Sequence, residues 1–404
     1  MKGHLHRGWT VLIAAAVGIF MTVPGQTVGV APFIDLLAAD LGVPRERVIV
    51  MYSLGTLIGI LPAPLIGRLL DRYGPRRVIG FVALALSASC VAMAAATNLW
   101  TLALAFTLLR GSAIGGLSIT SVNMVNLWFE RLRGRATAVA MMGLAAGGMI
   151  IPSVAERITI AQSWRVTYLA LGVAVLAIML PVGLAFFRNR PQDYGALPDF
   201  GRQAASTQHS RRDFTLAEAM RTPAFWYLSA LSVLYNSVGT ALMLDHTRLM
   251  ETSGADRAAA IKLLGFVPLA QVLAVLFGGV LVDKLGARRA GFMGIAAIAV
   301  SLATVITAPY LLGGFVYAIS LGAGIGILSV AASAGLAEYF GTRHMGTLRG
   351  TTFVIGVFGA ALGPLPLALS AGLAHWIFIA CAGLAVCLGI VTRADAKWLW
   401  QRSA

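Results

Sequence analysis

The sequence predicts an all-α membrane protein of twelve transmembrane helices in two pseudo-symmetric six-helix bundles, with both termini in the cytoplasm. Three observations lead there. The first is composition: of 404 residues 58% are hydrophobic and only 12% charged, with a mean hydropathy of +0.82. Soluble proteins carry about 25% charged residues, and two or three soluble domains would need more polar surface than this. The second is the recurrence of apolar stretches near the roughly 20 residues that a spanning helix requires. The third is charge placement. Of the 31 lysines and arginines, 23 fall on one side of the resulting topology and seven on the other, which is the positive-inside pattern. The net charge of +15 therefore orients the chain in a bilayer, and no nucleic-acid partner is expected.

In order, the predicted spans are 9–35, 46–67, 77–97, 99–128, 136–156, 164–187, 224–248, 258–282, 290–308, 310–338, 347–371 and 373–392. The first lacks a small-residue cleavage site and is expected to stay in the mature chain. Cys90, Cys381 and Cys387 all lie inside apolar stretches, so neither a disulfide framework nor a zinc pattern is open to them. Residues 188–222 form the longest polar stretch and read as a cytoplasmic linker between bundles 1–187 and 223–404. Within it Thr215 and Glu218 have the spacing of a capping box, which predicts a short helix before span seven.

The halves repeat at one offset. Gly42 and Arg45 match Gly254 and Arg257. Gly67, Asp71, Gly74, Arg76 and Arg77 match Gly279, Asp283, Gly286, Arg288 and Arg289, and Gly134 matches Gly346. Every pair is 212 residues apart. Parallel six-span repeats with a site at their interface are a transporter architecture.

The run Gly67-Arg68-Leu69-Leu70-Asp71-Arg72-Tyr73-Gly74-Pro75-Arg76-Arg77 resembles the loop between spans two and three of the major facilitator superfamily. Residues 279–289 hold its degenerate copy. Pro75 departs from the pattern, where that family often has a basic residue. A carboxylate at Asp71 or Asp283 can face a helix N-terminus and arginines such as Arg72 and Arg76, making a latch on the inner side. The competing reading is that these charges only mark the membrane boundary. Residues 128–136, Trp-Phe-Glu-Arg-Leu-Arg-Gly-Arg-Ala, and 215–226 are similar to runs of the monocarboxylate porter and oxalate–formate antiporter branches. The resemblance implies a carrier of small organic anions, moved with a proton or exchanged for another anion.

An ionisable group inside a span is costly and is a functional candidate by default. Arg110 lies ~17 Å along the fourth span at 1.5 Å per residue, near the midplane, with Ser118 and Ser121 further along. A guanidinium fork with hydroxyls nearby suits a carboxylate. Internal pairing, or the structural arginine that many superfamily members carry in span four, are the competing roles. Span seven offers Ser229, Ser232, Asn236 and Thr240 as one polar stripe, with Tyr235 beside Asn236. Span one contributes Thr22 and Gln26 around Pro24, which permits a bend, and Gln271 sits mid-way along span eight. In the superfamily spans one, four, seven and ten line the cavity, which would bring Gln26, Arg110 and Asn236 together. Interhelical hydrogen bonding alone, at ~0.6–2 kcal/mol per pair, would also account for these polar groups.

No carboxylate is expected at the midplane. Asp35, Glu156 and Asp245 all fall towards outer ends. Asp245 adjoins His246, with Arg248 one turn on, and the group resembles the Asp/Arg pair of monocarboxylate porters. Those porters carry it in span eight rather than seven, so a coupling role and a solvated outer gate both stay open. Oxalate–formate antiporters use a second cation in span eleven, whereas here Arg349 lies only at the inner start of that span and none lies deeper, so the resemblance implies a singly charged rather than a doubly charged anion. Gly143, Gly147 and Gly148, and Gly356, Gly359 and Gly363, recur at a spacing that lets helices pack closely.

No Walker A sequence is present, nor a His-Glu-x-x-His or nucleophile-elbow pattern. The expectation is a secondary carrier in the cell membrane, with no cofactor or metal, acting as a monomer on a small anionic substrate. A membrane enzyme and a transport-inactive sensor are the outlying classes. Within carriers the rival is efflux of neutral or cationic lipophiles.

Overall fold

The computed structural model describes residues 2–129, 133–189, 191–194, 214–307, 310–341 and 345–366, with isolated positions at 383, 386–387 and 389–390. Most of the linker, residues 130–132 of the span four to five loop, the end of span eleven, nearly all of span twelve, and Cys381 lie outside the described residues.

Among the described residues, nine helices are long and apolar enough to cross a membrane. The first part of the chain forms α1 (Lys2–Phe20), α2 (Thr27–Val30), α3 (Ile34–Leu41), α4 (Arg45–Gly59), α5 (Ala63–Tyr73) and α6 (Pro75–Ala94). It continues through α7 (Leu99–Arg110), a π-helical segment (Gly111–Ser118), α8 (Ile119–Trp128), α9 (Arg133–Ala161) and α10 (Trp164–Phe186). Within the linker lies α11 (Leu216–Ala219), and after it come α12 (Pro223–Thr252), α13 (Arg257–Thr307), α14 (Tyr310–Phe340) and α15 (Met345–Leu362). The predicted capping box is present: Thr215 receives the Glu218 amide at 3.4 Å, and the Glu218 carboxylate receives the Thr215 amide at 2.9 Å.

Two predicted spans need correction. Span two is not one helix. Pro62 and Pro64 lack the N–H groups that would continue the ladder, and α4 ends at Gly59 before α5 starts at Ala63. Span one is interrupted as well. Beyond α1 a 3₁₀ turn at Val23–Gly25 leads to an extended Gln26, with ψ 158°. Pro24 is the cause, as its position implied.

The chain divides into two compact units, Met1–Ser206 with Asp256–Leu269, and Thr207–Ala255 with Ala270–Ala404. In the first, α6 packs on α10, α4 on α7 and α1 on α9. The α1–α9 contact depends on small residues: a Cβ at Gly147 would stand 2.9 Å from the Phe20 carbonyl oxygen, and one at Gly143 would strike that of Ala16. In the second unit α12 packs on α14 and α15. There a Cβ at Gly359 would come within 2.9 Å of the Val233 carbonyl oxygen. The glycine stripes are therefore lines of close helix contact.

The sequence repeat reappears in the backbone. Gly42 and Gly254 both end helical segments with positive φ, 62° and 98°. Gly74 (φ 74°, ψ 163°) and Gly286 (φ 80°, ψ 156°) share a conformation that side chains disfavour. Gly74 separates α5 from α6, and Gly286 breaks the long α13 into two spans at the matching place.

Candidate functional site

Arg110 ends α7 and is 5% exposed. Its surroundings follow from the broken helices. In an unbroken span one, the Gly25 carbonyl would accept the Gly29 amide. Here that amide bonds to Gln26 instead, and the Gly25 oxygen accepts Arg110 Nη1 at 3.0 Å. The close approach needs Gly25, whose added Cβ would stand 2.6 Å from the Leu109 carbonyl oxygen.

Span two supplies the other contacts. Thr56 donates its hydroxyl to the Tyr52 carbonyl at 2.9 Å, which leaves its oxygen free to accept Arg110 Nε at 3.1 Å. The guanidinium carbon lies 5.0 Å from the centre of the Tyr52 ring, an arrangement worth roughly 0.5–2 kcal/mol. The Tyr52 hydroxyl pairs with that of Thr27 at 2.9 Å, and Nη1 reaches Thr27 Oγ1 weakly at 3.5 Å. Gly59, the last residue of α4, lies against Arg110: a Cβ there would stand 3.2 Å from the Arg110 Cβ. Immediately after Arg110 the span winds as a π-helix over eight residues, a geometry frequent at functional sites. Three helix irregularities, in spans one, two and four, thus adjoin one buried arginine.

Two features make this arrangement reactive. Among the described residues, no carboxylate pairs with Arg110. Nor does Nη2 make any hydrogen bond there, since every bond of the side chain runs through Nε or Nη1. A buried cation with spare donors is expensive unless an anion meets it.

Thr22 is fully buried, donates to the Ile19 carbonyl at 2.7 Å and receives Gln26 Nε2 at 3.2 Å. Gln26 itself is half-buried, one residue beyond the carbonyl that holds Arg110. Ser118 is half-buried in the π-helix. Ser121 is fully buried, bonded to the Leu117 carbonyl at 2.8 Å and packed where a Cβ at Gly18 would fall, so it is turned to α1 packing. Asn236, Tyr235 and Gln271 belong to the second unit and are half-buried. Asn236 Nδ2 donates to the Ser232 carbonyl at 2.9 Å, beside Gly356.

The outer acids are engaged. Asp35 pairs with Arg45 at 2.7 Å and Glu156 with Arg257 at 2.9 Å. The anticipated Asp245–His246–Arg248 group divides: Asp245 and His246 are buried, whereas Arg248 is exposed. His246 stacks on Tyr317, with its Nδ1 3.4 Å from the phenol oxygen, and that phenol donates to the Leu242 carbonyl at 3.2 Å. The side chains of Asp71 and Asp283 lie outside the described residues. Just after the turn glycines, Asn189 takes the Arg76 amide at 3.2 Å and Glu338 takes the Ala287 amide at 2.9 Å. Arg72 is exposed over the Tyr73 ring.

Sequence reasoning missed Tyr52, Thr56, Thr27, the Gly25 carbonyl and the π-helix. Tyr52 and Thr56 stand four apart in an apolar span, the signal that identified the polar pair of span one.

Known transporters resemble this chain in sequence and in fold. The chain is 26% identical over 311 residues to a gentisate transporter of Corynebacterium glutamicum, covering 74% of this chain and 67% of that one. It is 26% identical over 230 residues to an oxalate:formate antiporter of Oxalobacter formigenes, covering 56% and 51%. In fold it is similar to a bacterial homolog of the human lysosomal transporter Spinster (TM-score 0.66, 16% identity, 98% and 96% covered). The profile of the Major Facilitator Superfamily matches residues 9–364, and the chain belongs to that superfamily: it is a multi-pass membrane transporter and not an enzyme.

Proposed function

We propose that the protein carries a small, singly charged organic anion across the cell membrane by alternating access, with Arg110 receiving the carboxylate. The observation that carries this reading is the buried guanidinium with an open Nη2 edge and no carboxylate partner among the described residues. Nε and Nη1 fix the fork against spans one and two, and the remaining donors meet the substrate. In this reading Gln26, held by Thr22, and Ser118 add neutral donors. Asn236, Tyr235 and Gln271 are the candidates for substrate contact in the second half, while Ser121 supports span one. Asp71, Arg72, Arg76 and Asp283 latch the inner side, and the buried Asp245 serves gating or proton coupling, with Arg248 exposed on the same helix. The names of the gentisate and oxalate:formate relatives support an organic anion only as a class.

A purely structural Arg110 is the second reading, favoured by its bonds to Gly25 and Thr56. Thermal unfolding of the purified protein against carboxylates, aromatic acids and lipophilic cations separates the two, because a ligand stabilises the folded state by RT ln(1 + [L]/Kd). The anion reading expects stabilisation by one class of acid, lost in Arg110→Gln and partly kept in Arg110→Lys. Acid stabilisation that persists in Arg110→Gln would make the arginine structural. Stabilisation by cations alone would make the protein an exporter of lipophilic compounds.

A further inference from the structure

A second basic site lies in the first unit, away from Arg110. A cavity of about 480 Å³ is lined by Arg76, Arg77, Gly80, Leu184, Asn189 and Tyr194. It sits where α6 enters the apolar span at Pro75 and α10 leaves it at Phe186, the depth at which phospholipid headgroups meet protein. Its walls are fixed by specific bonds. Asn189 Oδ1 accepts the Arg76 amide at 3.2 Å, and the Asn189 carbonyl accepts the Trp128 indole N–H at 2.8 Å. Arg76 Nη2 donates to the Leu184 carbonyl at 3.3 Å. Beside the opening, the Arg188 guanidinium lies 5.1 Å from the Tyr194 ring centre.

The charge here is mainly basic, with three arginines against one carboxylate among the described residues. Among the described residues neither Arg76 nor Arg77 has a carboxylate partner, and both are exposed. Asp193, on the turn that carries Tyr194, is exposed as well. On the membrane side of the arginines the surface turns apolar. Phe81, Leu84 and Leu184 are large and exposed. A basic pocket above an apolar surface matches one chemistry, a headgroup bearing net negative charge with acyl chains below it. Aromatic residues at the same level, Trp128 and Tyr194 with ring centroids 6.2 Å apart, suit an interfacial position.

We propose that this pocket between α6 and α10 binds an anionic phospholipid, its phosphate held by Arg77 and its acyl chains lying along Phe81, Leu84 and Leu184. Gly80 keeps the floor open. Nothing lies within 4 Å of a Cβ added there, so a larger side chain at this position fills the cavity without displacing a neighbour.

The test counts lipids retained on the detergent-purified protein by native mass spectrometry, titrating phosphatidylglycerol, phosphatidylcholine of the same chains, and inorganic phosphate. Phosphatidylglycerol should bind at least tenfold more tightly than phosphatidylcholine. Gly80→Leu and Arg77→Gln should each abolish that preference while leaving the unfolding temperature of the lipid-free protein in place. If Gly80→Leu failed to fold, Arg77→Gln would still decide. Equal lipid binding by wild type and Arg77→Gln would overturn the proposal. So would displacement of the lipid by inorganic phosphate at matching concentration, which would identify a site for a soluble anion. Because the readout is lipid retention, its failure is separate from any failure of the substrate reading.

Discussion

The two halves of the chain agree at their turns and disagree in their middles. Gly42 and Gly74 have copies in Gly254 and Gly286 with matching backbone conformations. At the same offset of 212, however, Arg110 corresponds to Gly322, Tyr52 to Leu264, Thr56 to Pro268 and Thr27 to Gly239. The whole shell of the buried cation is absent from the second copy. Turn glycines are held by backbone geometry, which every copy of the fold needs. The polar shell serves the one cation it surrounds, so one half can carry it alone. The second half has a different polar set: Asn236 bonded to Ser232, and His246 stacked on Tyr317.

The largest test of this asymmetry is charge removal. Truncating one side of a buried, hydrogen-bonded charge pair costs about 2–5 kcal/mol. Arg110→Gln should therefore weaken anion affinity roughly 30-fold or more. Asn236→Ala, which removes a neutral donor of the second half, should cost about 0.5–1.5 kcal/mol of binding. Equal losses from the two would erase the distinction between the halves.

Next come the turns, where the halves should behave alike in kind. Gly74→Ala and Gly286→Ala each impose a backbone strain of about 1–3 kcal/mol. The first should be the worse in thermal unfolding. A Cβ at Gly74 collides with the Asn189 side chain, whereas at Gly286 the Glu338 oxygen stands 3.3 Å away. A reversed order would mean that the Asn189 contact does not set the difference between the two turns.

Smaller still is Tyr52→Phe. It keeps the ring under the guanidinium and removes the hydroxyl paired with Thr27, so a loss of about 0.5–1.5 kcal/mol in stability is expected. The least is Asp40→Asn. The Asp40–Arg165 pair is more than a third exposed on both sides, and the unfolding free energy should fall by less than about 1 kcal/mol.

Much of this architecture can be read before any coordinates. Apolar length locates most spans within a few residues, the 212-residue offset marks the positive-φ glycines Gly42, Gly74, Gly254 and Gly286, and Thr215 with Glu218 marks a cap. Arg110 stands out because charge in a span is rare. What escapes has physical reasons. Hydropathy counts Pro62 and Pro64 as part of an apolar stretch and is blind to the amides they lack, so span two looks continuous. A π-helix leaves no periodic signature beyond the glycines that tolerate it. The Gly25 carbonyl becomes an acceptor only once the Gly29 amide has turned to Gln26, a backbone event that no residue type announces. Arg248 separates from Asp245 on one helix because its long stem can carry the charge outward, while the short Asp245 side chain stays buried.

The most direct measurement compares a bound carboxylic acid with the primary amide of the same acid, by affinity, in wild type and Arg110→Gln. The pair keeps the shape and removes the charge. Wild type should prefer the acid by roughly 30-fold or more, as expected for a buried charge pair, and Arg110→Gln should bind both alike. Persistence of the full preference in Arg110→Gln, or no preference in wild type, would contradict an anion site built around Arg110.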